Sequence, residues 1–360
     1  MIAIRNLVRK SGKKTILDNI NMEIAGQTTA SFLGPSGSGK TTLMRIIMGL
    51  DLPEQGTVSF DDTLLSDGNR IIIKPEKRNF SLVFQEFILF PHLNVYRNIT
   101  AGLDHLPPAE RKSLAEELLD LFEIAHLRQR SIDTLSGGEQ QRIAIARALA
   151  LKPAVLMLDE PFSNIDRKMK ERLYGKLKAV IRRSGITTIL ATHDHAEAFF
   201  FSSRIFVLRE GKIVDSNPPY TLYMQPGDPW VAGFVGETNY ITGSELKTIY
   251  GMQPVPVKDN ALYLIRPEEF QIVRNHNAAD TGTAGAGIIE QIDFYGFYRN
   301  ITVTMENGKK ITVRDFHKAD YTCGEKVSLK ITKTPESILV TETDTAEAHQ
   351  SCTNLPVQEA

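Results

Sequence analysis

Gly34-Pro35-Ser36-Gly37-Ser38-Gly39-Lys40-Thr41 is the stretch on which the fold turns. It fits the pattern G-x-x-x-x-G-K-[ST]. An apolar, strand-like run at 28–33 leads into it, and an amphipathic run carrying Leu43, Ile46, Ile47 and Leu50 leads out. Strand, glycine-rich loop and helix in that order are the context the pattern needs. The glycines let successive backbone N–H groups curl around phosphate oxygens, and the helix adds its positive N-terminal end. Lys40 is placed to reach the β- and γ-phosphates, the Thr41 hydroxyl to bind Mg²⁺, and Thr42 completes the phosphate-binding run. The stretch reads as a nucleoside triphosphate site.

Two further apolar strands are expected at 154–158 and 186–192. They end on Asp159-Glu160 and on His193. Polar residues thus gather at the C-terminal ends of buried strands, where open α/β sheets bind ligands. Successive strand residues point opposite ways, so the two carboxylates are expected to have separate jobs. Asp159 would hold Mg²⁺ or its water, and Glu160 would orient and deprotonate an attacking water. Helices are expected at 109–122 and 140–150.

Ser136-Gly137-Gly138-Glu139 stands immediately before the second of these helices. S-x-x-E is a capping box, which stabilises a helix start by about 1 kcal/mol. A cap alone does not call for two glycines, since glycine weakens a helix start. Glycines there do let a phosphate approach the backbone closely. The chain already has its own phosphate loop, so this second anion-binding helix start makes most sense against another chain's nucleotide.

Leu135-Ser136-Gly137-Gly138-Glu139-Gln140-Gln141-Arg142 closely resembles the signature of ABC ATPases, and lies between the phosphate loop and Asp159-Glu160 as in that family. The resemblance extends in order. Gln85, after an expected strand at 81–84, is similar to the Q-loop glutamine that senses Mg²⁺ and the transmembrane partner. Ser163-Asn164-Ile165-Asp166 is similar to the D-loop, with Asp166 also suited to cap a helix at 167–183. His193 matches the switch histidine that contacts the γ-phosphate. The resemblance implies an α/β P-loop cassette over 1–236, with a RecA-like core and a helical subdomain at about 87–150. It also implies ATP and Mg²⁺ as ligands, and a homodimer in which each ATP lies between one chain's phosphate loop and the other's residues 136–139. One departure stands out. The segment Arg9-Lys10-Ser11-Gly12-Lys13-Lys14 holds no aromatic residue where relatives stack one on adenine.

The rest of the chain limits the function classes. With 360 residues, 42% hydrophobic and net charge −1, nothing suggests a general nucleic-acid binder. Cys323 and Cys352 match no metal or redox spacing and read as thiols of a reducing compartment. No run of about 18 or more apolar residues exists, and the N-terminus lacks a signal-peptide pattern. The expected place is therefore the cytoplasmic face of a membrane, reached through permease subunits and served indirectly by a solute-binding protein. Glu86-Phe87-Ile88-Leu89-Phe90-Pro91 lies in the region where the family docks its permease.

From 237 to 340 the sequence is β-rich, with Asn307-Gly308 joining alternating strands at 300–305 and 310–314. That pair is a strong signal for a tight hairpin, because both residues accept positive φ. A small OB- or TOBE-like barrel is expected. Leu264-Ile265-Arg266-Pro267-Glu268 resembles part of the C-terminal domain of importer ATPases, which pairs subunits and regulates transport. The polar stretch 341–360 is expected to be a mobile tail. Among transported solutes, Phe90-Pro91-His92-Leu93, Pro161-Phe162-Ser163 and Phe234-Val235-Gly236-Glu237 resemble the iron(III) branch most. Spermidine/putrescine, sulfate and sugar importers share nearly the same body. An ABC ATPase of DNA repair or chromosome maintenance is the other reading. Such proteins insert a long coiled coil between phosphate loop and signature, and Lys40 and Ser136 lie too close for one.

Overall fold

The computed structural model describes residues 1–250, 258–259, 261–274, 286–316, 320–332 and 337–338. The expected tail at 341–360 and Cys352 lie outside the described residues. Contacts divide the chain into two compact units, Met1–Tyr220 and Thr221–Ala360.

The first unit is built on two sheets. An antiparallel sheet joins β1 (Ile2–Ser11), β2 (Lys14–Ile24), β4 (Gln55–Phe60), β5 (Thr63–Asp67) and β6 (Arg70–Ile71) in the order β2-β1-β4-β5-β6. The core sheet runs β11-β10-β3-β9-β8-β7, where β3 is Thr29–Leu33, β7 Phe80–Val83, β8 Val155–Asp159, β9 Thr187–Thr192, β10 Arg204–Arg209 and β11 Lys212–Asn217. Strands β10, β3, β9, β8 and β7 are parallel, and only the edge strand β11 is antiparallel. Strands β8 and β9 are buried along their whole length, which is why they read as unbroken apolar runs rather than alternating ones.

Helix α1 (Lys40–Met48) leaves the phosphate loop and buries Leu43, Met44, Ile46 and Ile47 in the core that the two sheets share. Helices α2 (Val95–Thr100), α3 (Pro108–Leu121) and α4 (Gly137–Ala150) occupy the interval between β7 and β8. With α5 (Arg167–Ser184) they enclose a second core around Phe122, Ile143, Ile145, Leu158 and Phe162. The short helix α6 (His195–Phe201) follows β9.

The second unit carries α7 (Pro219–Met224), which begins just before it, and α8 (Pro229–Val235). Strand β12 (Asn239–Thr242) leads into α9 (Gly243–Tyr250) and pairs with β13 (Leu262–Ile265), which also pairs with β19 (Ser337–Ile338). A five-stranded antiparallel sheet takes the order β14-β18-β15-β16-β17, from Phe270–Arg274, Lys326–Ile331, Ala286–Phe294, Arg299–Met305 and Lys310–Asp315. Both sheets share one apolar core.

The expected hairpin is present, with Ile301 opposite Val313 and Val303 opposite Ile311. The turn uses one left-handed residue. Only Gly308 is left-handed (φ 82°). The Gly308 amide donates to the Met305 carbonyl (2.8 Å), and the Met305 amide to the Lys309 carbonyl (2.8 Å). This is a three-residue loop with a glycine bulge, whose single positive φ relieves the demand on Asn307.

Contacts group residues 221–236 with the β-rich unit. Arg266 supplies the physical reason. It is fully buried, and its guanidinium donates to the carbonyls of Tyr223, Ala232, Gly236 and Glu237 and to the Thr238 hydroxyl. It also stacks over the Tyr223 ring at 4.1 Å. Burial holds its pKa below the usual arginine range, yet the carbonyl oxygens keep the cation satisfied. One side chain thereby fastens 221–238 to the β-rich unit.

Candidate functional site

The phosphate loop connects β3 to α1 through two left-handed glycines, Gly37 (φ 78°) and Gly39 (φ 105°). Gly34 is required for a different reason. A Cβ there would lie 2.2 Å from the Leu208 carbonyl of β10. Lys40 is buried and folds back on its own loop, donating to the carbonyls of Gly34 (2.7 Å) and Pro35 (2.9 Å). Desolvation lowers its pKa, while Glu160 and Asp159 oppose that shift. The Ser38 hydroxyl is buried without a hydrogen-bond partner. A buried ammonium held only by carbonyls, and an orphaned hydroxyl beside it, are what an incoming phosphate would satisfy.

Asp159 ends β8 and is buried, with the Thr41 side chain near enough to its carboxylate to favour the charged form. Desolvation raises its pKa, and the neighbouring Glu160 charge adds to the rise; Thr41 and Lys40 work against it. A charged carboxylate in so dry a place suits a cation. Among the described residues no group of three or more His, Cys, Asp or Glu could hold a metal. A divalent ion between Thr41 and Asp159 would therefore draw its remaining ligands from Gln85, phosphate and water, since Mg²⁺ commonly keeps few protein ligands.

Glu160 is separated from Asp159 by a turn of the backbone, not by strand alternation. Its φ is 46°, a conformation non-glycine residues rarely adopt. Its amide donates to the Ala191 carbonyl (2.9 Å) of the neighbouring strand. The carboxylate then meets two partners. Oε1 lies 3.0 Å from His193 Nδ1, and Oε2 accepts from Gln85 Nε2 at 3.4 Å. Residues far apart in sequence thus converge on one carboxylate, which is 16% exposed beside a half-exposed His193. His193 is held from both sides. Thr192 donates to the buried Glu197, the Asp194 amide donates to Thr192, and Asp194 caps α6.

Residues 136–139 are not part of this cluster. Ser136 caps α4 in a full capping box with Glu139, whose pKa is lowered chiefly by the Ser136 backbone N–H. Together with Arg142, Asn164, Ile165, Asp166 and Met169 they line a surface hollow of about 400 Å³ that includes no residue of the phosphate loop. Asp166 caps α5, accepting from the Met169 amide at 3.0 Å. The structure adds a reason for Gly138 that the sequence did not reveal. A Cβ there would lie 2.8 Å from the Asn164 carbonyl, so close packing within the chain already demands glycine. At Gly137 the nearest atoms, of Asn164 and Phe87, would lie 3.7–3.9 Å from a Cβ, an ordinary contact that demands no glycine.

Sequence reasoning missed Gln141, whose Nε2 donates to the Glu160 carbonyl at 3.0 Å. Its place in the signature stretch was a signal, but its partner was not. It also missed the support of the segment after Gln85. Phe87 (φ 62°) and Ile88 (φ 31°) are both left-handed. Arg147 donates to the Ile88 carbonyl (2.7 Å) and stacks on Phe90, and buried Asn98 bridges the Phe90 amide and carbonyl. Ile88 and Phe90 are left exposed.

A triphosphate loop, a paired acid and histidine, and a separate glycine-bearing helix start define an ATP-binding cassette. Residues 17–163 match the ABC transporter family and 263–340 the TOBE domain. The chain belongs to the ABC transporter family, as an ATP-binding subunit of the importer type, and it is an ATPase. It is 37% identical to the glucose import ATP-binding protein GlcV of Saccharolobus solfataricus (84% of this chain, 89% of that one). It is 35% identical to the Fe(3+) ions import ATP-binding protein FbpC of Fusobacterium nucleatum (92% and 91%). It is 37% identical to the spermidine/putrescine import ATP-binding protein PotA of Mesorhizobium japonicum (87% and 88%). Among solved structures, it resembles a dimeric ATP-binding cassette in a post-hydrolysis state with ADP and Pi (TM-score 0.55, 32% identity, 61% of this chain and 99% of that one). A second dimeric structure, of a bacterial ABC transporter cassette, has a TM-score of 0.56 at 33% identity, with the same coverage. The chromosome-maintenance reading finds no support in these similarities.

Proposed function

We propose that two copies of this chain close head-to-tail over two ATP molecules and use their hydrolysis to drive solute import through a permease. In each site residues 34–42 bind the phosphates, and Lys40 turns from its loop carbonyls to the β- and γ-phosphates. Glu160 takes the proton of the attacking water. His193 orients that carboxylate from one oxygen and Gln85 from the other, and His193 also faces the γ-phosphate. Thr41 and Asp159, with Gln85, would hold Mg²⁺, which when bound neutralises phosphate charge. The observation that carries this reading is the convergence of Gln85 and His193 on Glu160.

The dimer reading is supported by the placement of residues 136–139 beside the D-loop residues 164–166, in a hollow apart from the chain's own phosphate loop. Light scattering tests it. The Glu160→Gln chain should double its mass with ATP, and adding Ser136→Arg should abolish the doubling. A monomer under both conditions, or a dimer indifferent to Ser136→Arg, contradicts the sandwich.

Among the described residues no helix is long and apolar enough to cross a membrane. The transmembrane path is therefore assigned to permease subunits at the cytoplasmic face, docking at the segment after Gln85, where Ile88 and Phe90 are exposed. For the solute, iron(III) is the first candidate on the resemblance of residues 90–93, 161–163 and 234–237. The relatives' names divide among iron, polyamine and glucose at nearly equal identity. Uptake of labelled Fe³⁺, spermidine and glucose by cells with and without this chain distinguishes them.

A further inference from the structure

Glu160 is held in its left-handed conformation (φ 46°) by bonds to both of its peptide groups. The Ala191 carbonyl accepts from its amide, and its own carbonyl accepts from the Ser163 hydroxyl (3.1 Å) and from Gln141 Nε2 (3.0 Å). The first two partners adjoin the core sheet. Gln141 does not: it sits one turn into α4, the helix whose N-terminus is formed by Ser136, Gly137, Gly138 and Glu139. Gln141 is 1% exposed. Its Oε1 is buried with no hydrogen-bond partner, an arrangement that costs stability and that a methionine of similar length would avoid.

A helix segment this short moves as a rigid body. Any shift of the 136–139 end therefore carries Gln141 with it, and through one hydrogen bond pulls on the Glu160 carbonyl. Because that peptide already sits in a sparsely allowed region, a small pull on it reorients the side chain beyond. We propose that Gln141 is a positioning residue that ties the aim of the Glu160 carboxylate to the position of α4, so that engagement of residues 136–139 with the partner's nucleotide sets the base in the chain's own site. This inference rests on the roles given above to Glu160 and Ser136. It makes the two ATP sites of the sandwich mutually dependent through a contact inside each chain.

A double-mutant cycle in the full-length protein tests it, with kcat and KM for ATP as readouts and thermal melting as a control. Gln141→Met keeps length and volume but removes the donor. It should lower kcat about tenfold, a barrier change of about 1.4 kcal/mol, with KM within about twofold and the melting temperature nearly unchanged. Ser136→Ala should lower kcat by itself. In the Gln141→Met background its effect should be clearly smaller than in the parent, because part of it is carried by the link that has been cut. A kcat for Gln141→Met within about twofold of the parent overturns the proposal. So do effects of the two substitutions that simply multiply. Gln141→Leu serves if the methionine variant does not fold, and failure of both to fold would make Gln141 a structural residue and overturn the proposal. Glu160→Gln run in parallel keeps the tests apart: active Glu160→Gln removes the reading of the base, whereas inactive Glu160→Gln with unaltered Gln141→Met removes only the coupling.

Discussion

His193 Nδ1 lies 3.0 Å from Oε1 of Glu160, although the two stand on the ends of different strands. Neither residue is placed by its own strand alone. The parallel register of β8 and β9 sets Asp159 opposite Ala191, and the left-handed turn at Glu160 then swings its carboxylate toward the residue that follows Thr192. His193→Ala removes one of the two partners that aim Glu160. Turnover should fall about 10²-fold or more, with ATP binding changed only a few-fold, as equilibrium binding beside steady-state kinetics will show.

Asp159→Asn separates stability from activity. Desolvation raises the Asp159 pKa in the fold above its unfolded value. The folded chain thus binds the proton more tightly than the unfolded chain, and stability from this group is lost as pH rises through the folded pKa. At neutral pH the ionised side chain therefore opposes folding in the nucleotide-free protein. Asp159→Asn should raise the melting temperature of that form while lowering Mg²⁺-dependent turnover. In the parent the melting temperature should gain from mild acidification relative to the variant.

Ser11→Tyr addresses the absent aromatic. Arg9, at the end of β1, cannot readily cover a base, because its guanidinium is committed to the Leu52 carbonyl (2.7 Å) and to Glu54. The exposed tip at Ser11-Gly12 is free to accept a ring. Stacking contributes about 1–3 kcal/mol, so Ser11→Tyr should tighten ATP binding by roughly fivefold or more. Titration calorimetry against ATP and GTP checks both the gain and how little the parent distinguishes the bases.

Arg266→Met should destabilise the second unit by about 3 kcal/mol or more, since it leaves several buried carbonyls without donors. Limited proteolysis should then cut within 221–238, and a resistant segment would count against the clasp.

How legible these features were followed from how local they are. The phosphate loop, the strand ends at Asp159 and His193, and the caps at Ser136 and Asp166 are patterns within a few residues, so sequence alone located them. Even the helix now seen as α4 was anticipated to within a few residues of its start. The Gln141 link to Glu160, the Arg266 clasp and the packing of Gly138 on Asn164 are different. Each joins residues from separate elements, and a buried glutamine or arginine carries no local sign of its partner. The Asn307-Gly308 turn shows the opposite limit: the two strands were readable, but the same dipeptide serves two loop lengths, and the loop length sets the register.

The most direct test of the central claim is ATP turnover by Glu160→Gln, measured together with ATP binding. Substituting the amide preserves the shape of the residue but removes the proton acceptor. The account predicts a fall of about 10²–10⁴-fold in kcat with ATP binding retained. Turnover equal to the parent's would contradict it.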